Sequence, residues 1–167
     1  MADEVAAIVS VDPAERPRGI YTARVDAKGR LKLPSAFQKF LASLKEDHYF
    51  ITTTNETTVY IYPLSEWKKF EASLDQPENE EQVDMFAAVR FVADKYGADA
   101  VIDGEGRMLL PQPVRAEFKM HDAQVYVQCG RNRIEVLNED EYRARERAAD
   151  KVKLAKANTL LALKGFK

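Results

Sequence analysis

The sequence has one cysteine, two histidines and no long apolar run, and each shortage excludes a class of protein. Cys129 has no partner for an internal disulfide, which is typical of a reducing cytoplasm. No run of about 18 apolar residues could cross a bilayer, and residues 1–17 lack the basic start and apolar run of a signal peptide. His48 and His121 lack neighbouring ligands at metal-site spacing. We therefore expect a cytoplasmic protein without a metal, a cofactor or a membrane contact.

Motifs of the common enzyme classes are missing as well. There is no phosphate-binding Gly-x-x-x-x-Gly-Lys-[Ser/Thr], no Gly-x-Ser-x-Gly and no supported Cys/His nucleophile. Small barrels of the aspartate-decarboxylase type need a self-cleaving Gly-Ser pair, and that dipeptide does not occur. We therefore predict that the chain is not an enzyme and has no small-molecule substrate.

The net charge of −2 conceals a strong segregation of charge along the chain. Residues 16–45 have eight basic side chains and one acid, whereas residues 66–105 have eleven acids and four bases. Residues 143–167 are basic again, with eight bases and two acids. Solvated helix faces explain the acidic middle, but the basic N-terminal third is interleaved with strand-like residues, which favours an anionic partner.

An internal repeat organises the sequence. Asp26–Pro34 (DAKGRLKLP) aligns with Asp103–Pro111 (DGEGRMLLP) at an offset of 77 residues. Further along, Val59–Trp67 parallels Ile134–Tyr142 at an offset of 75. Two matches in the same order indicate a duplicated module.

The first copy reads as strand, turn, strand, helix and hairpin. Apolar and polar residues alternate up to Asp26, and the Asp-Ala-Lys-Gly that follows is typical of a tight turn. Pro34 ends the return strand and can open a helix, whose apolar stripe is Phe37, Phe40, Leu41 and Leu44. A hairpin is predicted from Tyr49–Thr54 and Thr57–Tyr62, and Ser65 is expected to cap a short helix with Trp67 in the core.

The second copy repeats this pattern after a predicted helix over Glu80–Tyr96 that Gly97 ends. Strands are predicted at Ala100–Ile102 and Met108–Leu110, and a later hairpin is formed by the segments Val125–Gln128 and Arg133–Leu137. Asn138 with Glu141 resembles a capping box that begins a long terminal helix.

The doubled pattern Asp-x-x-Gly-Arg-[Leu/Met]-x-Leu-Pro is similar to the AbrB-type swapped-hairpin DNA-binding module. Two such modules in tandem, with Tyr-Pro-x-x-Glu-Trp at residues 62–67, resemble the MraZ family over roughly residues 18–149. The resemblance implies a transcription regulator, usually a repressor, at the promoter of the division and cell-wall gene cluster. It also implies nucleoid association, ring-shaped homo-oligomers and recognition of short repeated elements in double-stranded DNA.

The expected fold class is α+β, with two tandem AbrB-like swapped-hairpin modules forming one pseudo-twofold β-barrel unit with flanking helices. The expected division is an N-terminal extension at 1–17, a first module at 18–74 and a connecting loop and helix at 75–96. A second module at 97–142 and a basic helical tail at 143–167 complete it. The tail reads as an amphipathic helix for oligomerisation or docking.

Five basic residues around the two turns are the candidate DNA contacts. Arg30 is the first choice, because a guanidinium beside a tight turn can bind phosphate or guanine; the alternative is a plain ion pair with Asp26. Arg107 is its equivalent, but Glu105 replaces Lys28 in the second turn. The full set is Arg30, Lys28, Arg107, Arg24 and Lys32, and the structural turn residues are Asp26, Gly29, Asp103 and Gly106.

A binding protein without sequence-specific DNA contacts is the other interpretation. An antitoxin-like module would wrap a partner protein with its tail, and such an arm is disordered until it binds. The Asn138 cap and the Ala/Leu-rich continuation predict a helix instead. An oligomeric scaffold would leave the basic hairpin region without a role.

Overall fold

The computed structural model describes residues 15–166, which form eight strands and six helices. The strands are β1 (Tyr21–Val25), β2 (Arg30–Lys32), β3 (Tyr49–Thr52), β4 (Val59–Pro63), β5 (Ala98–Ala100), β6 (Arg107–Leu109), β7 (Ala123–Cys129) and β8 (Ile134–Leu137). The helices are α1 (Ser35–Ser43), α2 (Leu64–Leu74), α3 (Glu80–Tyr96), α4 (Gln112–Glu117), α5 (Glu139–Ala148) and α6 (Lys151–Leu163).

All eight strands belong to one antiparallel sheet in the order β5-β3-β4-β8-β7-β1-β2-β6. The strands of the two sequence copies interleave, because β1 pairs with β7, β2 with β6, β3 with β5 and β4 with β8. The two end strands, β5 and β6, are consecutive in the chain, so the sheet is a nearly closed barrel. The expected α+β fold class is confirmed, whereas the domain boundaries remain a prediction.

One hydrophobic core fills the barrel with side chains from both copies. In the β2–β6 pair, Leu31 lies opposite Met108 and both are fully buried. Alternation along each strand sends these residues inward and their neighbours outward. The equivalent helices α1 and α4 add Phe37 and Val114 to the same core. The structure therefore does not divide into two independent cores.

A smaller aromatic cluster joins α2 to the outside of the sheet. Trp67 is buried and stacks on Phe50 and Phe70, with ring centroids 4.7 and 5.0 Å away. This confirms the predicted core position of Trp67. Its repeat equivalent, Tyr142, is half-buried and lies 3.8 Å from the Tyr126 ring, centroid to centroid.

Gly97 ends α3, as predicted, but with extended backbone (φ −83°, ψ 150°) rather than a left-handed cap. A glycine is needed here because there is no room for a side chain: a Cβ would lie 2.3 Å from the Phe50 ring. The strand that follows, β5, begins earlier than predicted, at Ala98.

Two capping predictions have different outcomes. Ser65 does not cap α2, which begins at Leu64 directly after Pro63. Instead, the Ser65 hydroxyl and backbone N–H donate to the Glu46 carboxylate at 2.9 and 3.2 Å, so that a residue from another loop takes up the free donors. Asn138 does cap α5, accepting from the Glu141 N–H at 2.8 Å.

The terminal helix is helical as predicted but not continuous. Ala149 leaves helical geometry (φ −83°, ψ 63°), and Asp150 begins α6 by accepting from the Lys153 N–H at 2.9 Å. A strong N-cap residue in the middle of a helical stretch offers the backbone this alternative. The single long helix was therefore wrong.

The two tight turns have nearly identical hydrogen bonds. The Asp26 carboxylate accepts from the backbone N–H groups of Lys28 and Arg30, both at 2.9 Å, and Asp103 accepts from Glu105 and Arg107 at 2.8 and 3.0 Å. The Arg30 N–H lowers the pKa of the Asp26 carboxyl, helped by the Arg30 side chain. The Arg107 N–H likewise lowers the pKa of Asp103.

Gly29→Ala should lower the free energy of unfolding by at least about 1–2 kcal/mol, because Gly29 has a φ of +83° and a Cβ disfavours left-handed backbone. The added Cβ would also lie 2.2 Å from Arg115 Cδ, so that side chain has to move. Chemical denaturation measures the change. The matched control is Gly104→Ala in the second turn, where a Cβ meets nothing within 4 Å and φ is not left-handed; its effect should stay within about 0.5 kcal/mol. Equal effects of the two substitutions would contradict this account of the turn.

The turn carboxylates should make stability depend on pH in the acid range. Their pKa values are lower in the folded than in the unfolded chain, so their stabilisation is complete above about pH 4 and is lost as the pH falls below it. The double variant Asp26→Asn/Asp103→Asn lacks this contribution at every pH. The difference in the free energy of unfolding between wild type and variant should therefore shrink as the pH falls. Denaturation at several pH values tests this, with Asp47→Asn/Asp99→Asn as the control pair of exposed carboxylates. A gap that stays constant from pH 7 to pH 2.5 would argue against the assignment.

Candidate nucleic-acid interface

Three of the candidate cations form a row across the outer face of the sheet. Arg24 on β1 lies opposite Lys32 on β2, which lies opposite Arg107 on β6. Because Val25, Leu31 and Met108 point into the core, the row points outward. Adjacent strands are about 4.8 Å apart, so the row spans about 10 Å at the Cα atoms, close to the width of a DNA major groove of about 12 Å.

Arg30 and Arg107 are held by their turn aspartates. Arg30 Nε donates to Asp26 Oδ2 at 2.8 Å, and Arg107 Nε donates to Asp103 Oδ2 at 2.9 Å. Their side chains stay 31% and 25% exposed. The bond through Nε fixes the plane of each guanidinium and leaves the Nη groups as donors for a ligand. The ion pair with Asp26 and a contact with DNA are therefore compatible.

The two turns differ in how much of this donor capacity is available. In the second turn, Arg107 Nη1 also forms an ion pair with the Glu105 carboxylate at 3.3 Å. The hydrogen bond to Asp103 and the charge of Glu105 both raise the pKa of Arg107. In the first turn the position of Glu105 is taken by Lys28, which is exposed. The second turn is therefore partly neutralised by its own acid, and the first turn is the more basic of the two.

The remaining cations of the row also have partners within the chain. Arg24 Nη2 forms an ion pair with Asp122 Oδ1 at 2.6 Å, with both side chains well exposed. Such an exposed pair contributes little to stability and can exchange for a phosphate. The Lys32 ammonium donates to the backbone carbonyl of Glu105, so a lysine of the first copy stands beside the second turn.

Arg115 on α4 is a basic residue of this surface that the sequence did not reveal. Its Nε donates to the Leu110 carbonyl at 3.1 Å, and its Cδ lies 2.2 Å from the position that a Cβ of Gly29 would occupy. Its repeat equivalent, Gln38, lies in the same way against Gly106 and donates to the Leu33 carbonyl at 2.6 Å. The offset of 77 pairs Gln38 with Arg115, but only the interleaving of the copies places each beside the turn of the other.

The described residues contain no cluster of three or more His, Cys, Asp and Glu side chains that could hold a metal ion. None of the helices between residues 15 and 166 is long and apolar enough to cross a membrane.

Comparisons with known proteins agree with this architecture. A family model described as "MraZ protein, putative antitoxin-like" matches residues 18–88. A protein of Acidobacterium capsulatum named transcriptional regulator MraZ is 35% identical over 129 residues, covering 75% of this chain and 84% of the relative. Proteins of the same name from Nitrosococcus oceani and Pediococcus pentosaceus are 30% and 32% identical, covering 87% and 72% of this chain and 99% and 79% of the relatives. The identity and the coverage show that this chain belongs to the MraZ family.

Proposed function

We propose that this chain is a DNA-binding transcription regulator that holds duplex DNA against the outer face of β1, β2 and β6. The relatives are named as transcription regulators, which supports regulation rather than catalysis. The observation that carries the proposed surface is the outward row of Arg24, Lys32 and Arg107 beside the basic first turn. Neutralising phosphates with such side chains supplies most of the affinity of proteins for DNA.

The cations divide into two proposed roles. Lys28, Arg24 and Lys32 are exposed and are assigned to phosphates, and such contacts position a protein on DNA without reading its sequence. Arg30 has its guanidinium plane fixed by Asp26 and is assigned to a bidentate contact, to a phosphate or to guanine O6 and N7. Arg107 has the same geometry but a weaker contact, because Glu105 competes for it.

The proposed mode of action is repression by occupancy of the promoter of the division and cell-wall gene cluster, at the nucleoid in the cytoplasm. Several copies in a ring-shaped homo-oligomer would each hold one of the repeated DNA elements. Linked contacts reinforce each other through effective concentration, so weak single contacts suffice. An antitoxin-like arm is less well supported, because the tail is helical in α5 and α6 rather than irregular.

Arg30→Ala should weaken binding to the DNA upstream of the chain's own operon by about five-fold or more, since one bidentate arginine contributes about 1–3 kcal/mol. If the contact is to phosphate, the slope of log K against log salt should become shallower by about 0.9. Fluorescence anisotropy over a salt series measures both quantities. Arg30→Lys should keep the slope and lose part of the affinity, because it keeps the charge but not the fork.

The control for Arg30→Ala is Lys95→Ala, which removes the same charge from the acidic helix α3 and should change affinity less than two-fold. Arg107→Ala should lie between the two. If the wild-type protein does not bind this DNA even at low salt, the regulator proposal fails. The protein-interaction module is then the better interpretation. Equal losses in Arg30→Ala and Lys95→Ala would show that net charge, rather than the turn, binds DNA.

Glu105→Lys should strengthen DNA binding several-fold and steepen the salt slope by about 0.9, because it gives the second turn the charge of the first and releases Arg107 Nη1. Glu117→Lys on α4 makes the same charge change at an exposed position away from the row and should have a smaller effect. The same anisotropy titration tests both variants. An affinity unchanged in Glu105→Lys would mean that the second turn lies outside the interface.

A further inference from the structure

Helix α6 touches no core in the structure. Every residue from 151 to 166 is exposed, although five of the side chains in α6 are large and apolar: Val152, Leu154, Leu160, Leu161 and Leu163. A helix of 13 residues is marginal in water unless an apolar face packs against something. Residues 15–166 supply no such surface to α6, which leaves its apolar side chains available to a partner.

The apolar residues of α6 lie on two opposite sides. Leu154 and Leu161 are seven residues apart on one side, whereas Val152 and Leu163 are eleven apart on the other. The expectation of a one-sided amphipathic helix was therefore wrong. Helices that lie in a membrane surface have one apolar and one charged side, so this pattern favours a protein surface. The helix contains three lysines and no acid.

Helix α3 presents a complementary stripe that is also unoccupied. While Ala93 and Tyr96 pack against the barrel side, a second apolar line faces outward along an open groove of about 360 Å³. The groove is lined by Leu74, Pro77, Val83, Phe86, Ala87 and Phe91, with Phe91 69% and Val83 53% exposed. From residue 83 to residue 94 the stripe is about 17 Å long, which is close to the length of about 20 Å of α6.

The charges around the two helices are opposite. Glu80 and Asp84 stand at the edge of the α3 stripe and are exposed, and Asp94 lines the groove. Arg90, the cation within the stripe, is already paired with Asp75 at 2.6 Å. The lysines of α6 therefore meet a surface with excess negative charge, which favours docking and fixes its orientation.

We propose that α6 of one copy packs along the outward stripe of α3 on a second copy, so that the apolar faces cover each other and the α6 lysines meet the α3 acids. This contact is heterologous, so repeated head-to-tail it closes a ring or extends a filament. The proposal rests on the proposed self-association and is independent of DNA binding.

Removing α6 tests the contact. A chain that stops at Ala149 should lose the oligomer in light scattering coupled to gel filtration, with the association constant falling at least ten-fold, while its circular dichroism keeps the sheet signal. Phe91→Lys should do the same with the tail intact, and Met85→Lys, on α3 but off the stripe and 50% exposed, should not. If the truncated chain has the same number of subunits as the wild type, the α6–α3 contact is refuted, although the protein still forms an oligomer. If the wild type is monomeric at every concentration, both the contact and the proposed self-association are refuted.

Cross-linking distinguishes a second copy from the same chain. A mixture of Phe91→Cys and Leu161→Cys should form a covalent dimer under oxidation, and each variant alone should form much less. The native Cys129 should react more slowly than the introduced cysteines, because burial raises the pKa of its thiol to about 11 and leaves little thiolate at pH 8. A third variant carries both Phe91→Cys and Leu161→Cys in one chain. If it forms a disulfide and keeps the mass of a monomer, α6 folds back onto α3 of its own chain, which refutes the proposal.

Discussion

The pairing of β2 with β6 is the constraint on which the rest of the molecule depends. It joins the two copies at Leu31 and Met108, and two reciprocal bonds flank it, from the Leu33 N–H to Gly106 and from the Leu110 N–H to Gly29, both at 3.0 Å. Burying one such side chain contributes about 1.5–3 kcal/mol. Without this pairing each copy has strands with open edges and only half of a core, so neither is expected to fold alone.

The same pairing creates the candidate interface, whose two turns differ in charge. It brings cations of three strands into one row and sets Arg115 against the first turn, although these residues are far apart in the chain. Duplication supplies symmetric turns, and substitution at single positions then makes them unequal. The first turn has Lys28 where the second has Glu105, so the two turns differ in charge. Asp26 and Asp103 accept the same backbone hydrogen bonds, so the two turns have the same geometry. The backbone frame is thereby conserved between the turns while the surface chemistry differs.

The residues that form the core and the exposed apolar residues lie on different elements of this chain. The barrel buries its apolar residues internally, whereas α3 and α6 keep apolar faces outside it. Contiguous exposed apolar surface is typical of interaction sites, which is the basis of the proposed contact between α3 and α6. The exposed faces of α3 and α6 therefore lie apart from the two tight turns and their basic side chains.

The sequence by itself determined the duplication, the strand and helix types, the turn chemistry and the family, because these depend on local periodicity and on short motifs. It also identified Arg30 and Arg107 at their turns. It could not show that Glu46, rather than Ser65, accepts hydrogen bonds at the start of α2, or that the terminal helix is interrupted before Asp150. Nor could it show that Arg115 lies beside Gly29. Those features come from contacts between residues distant in the chain or from competition between near-equal local states. Only the interleaved tertiary structure decided them, because it chose which copy's helix lies over which turn.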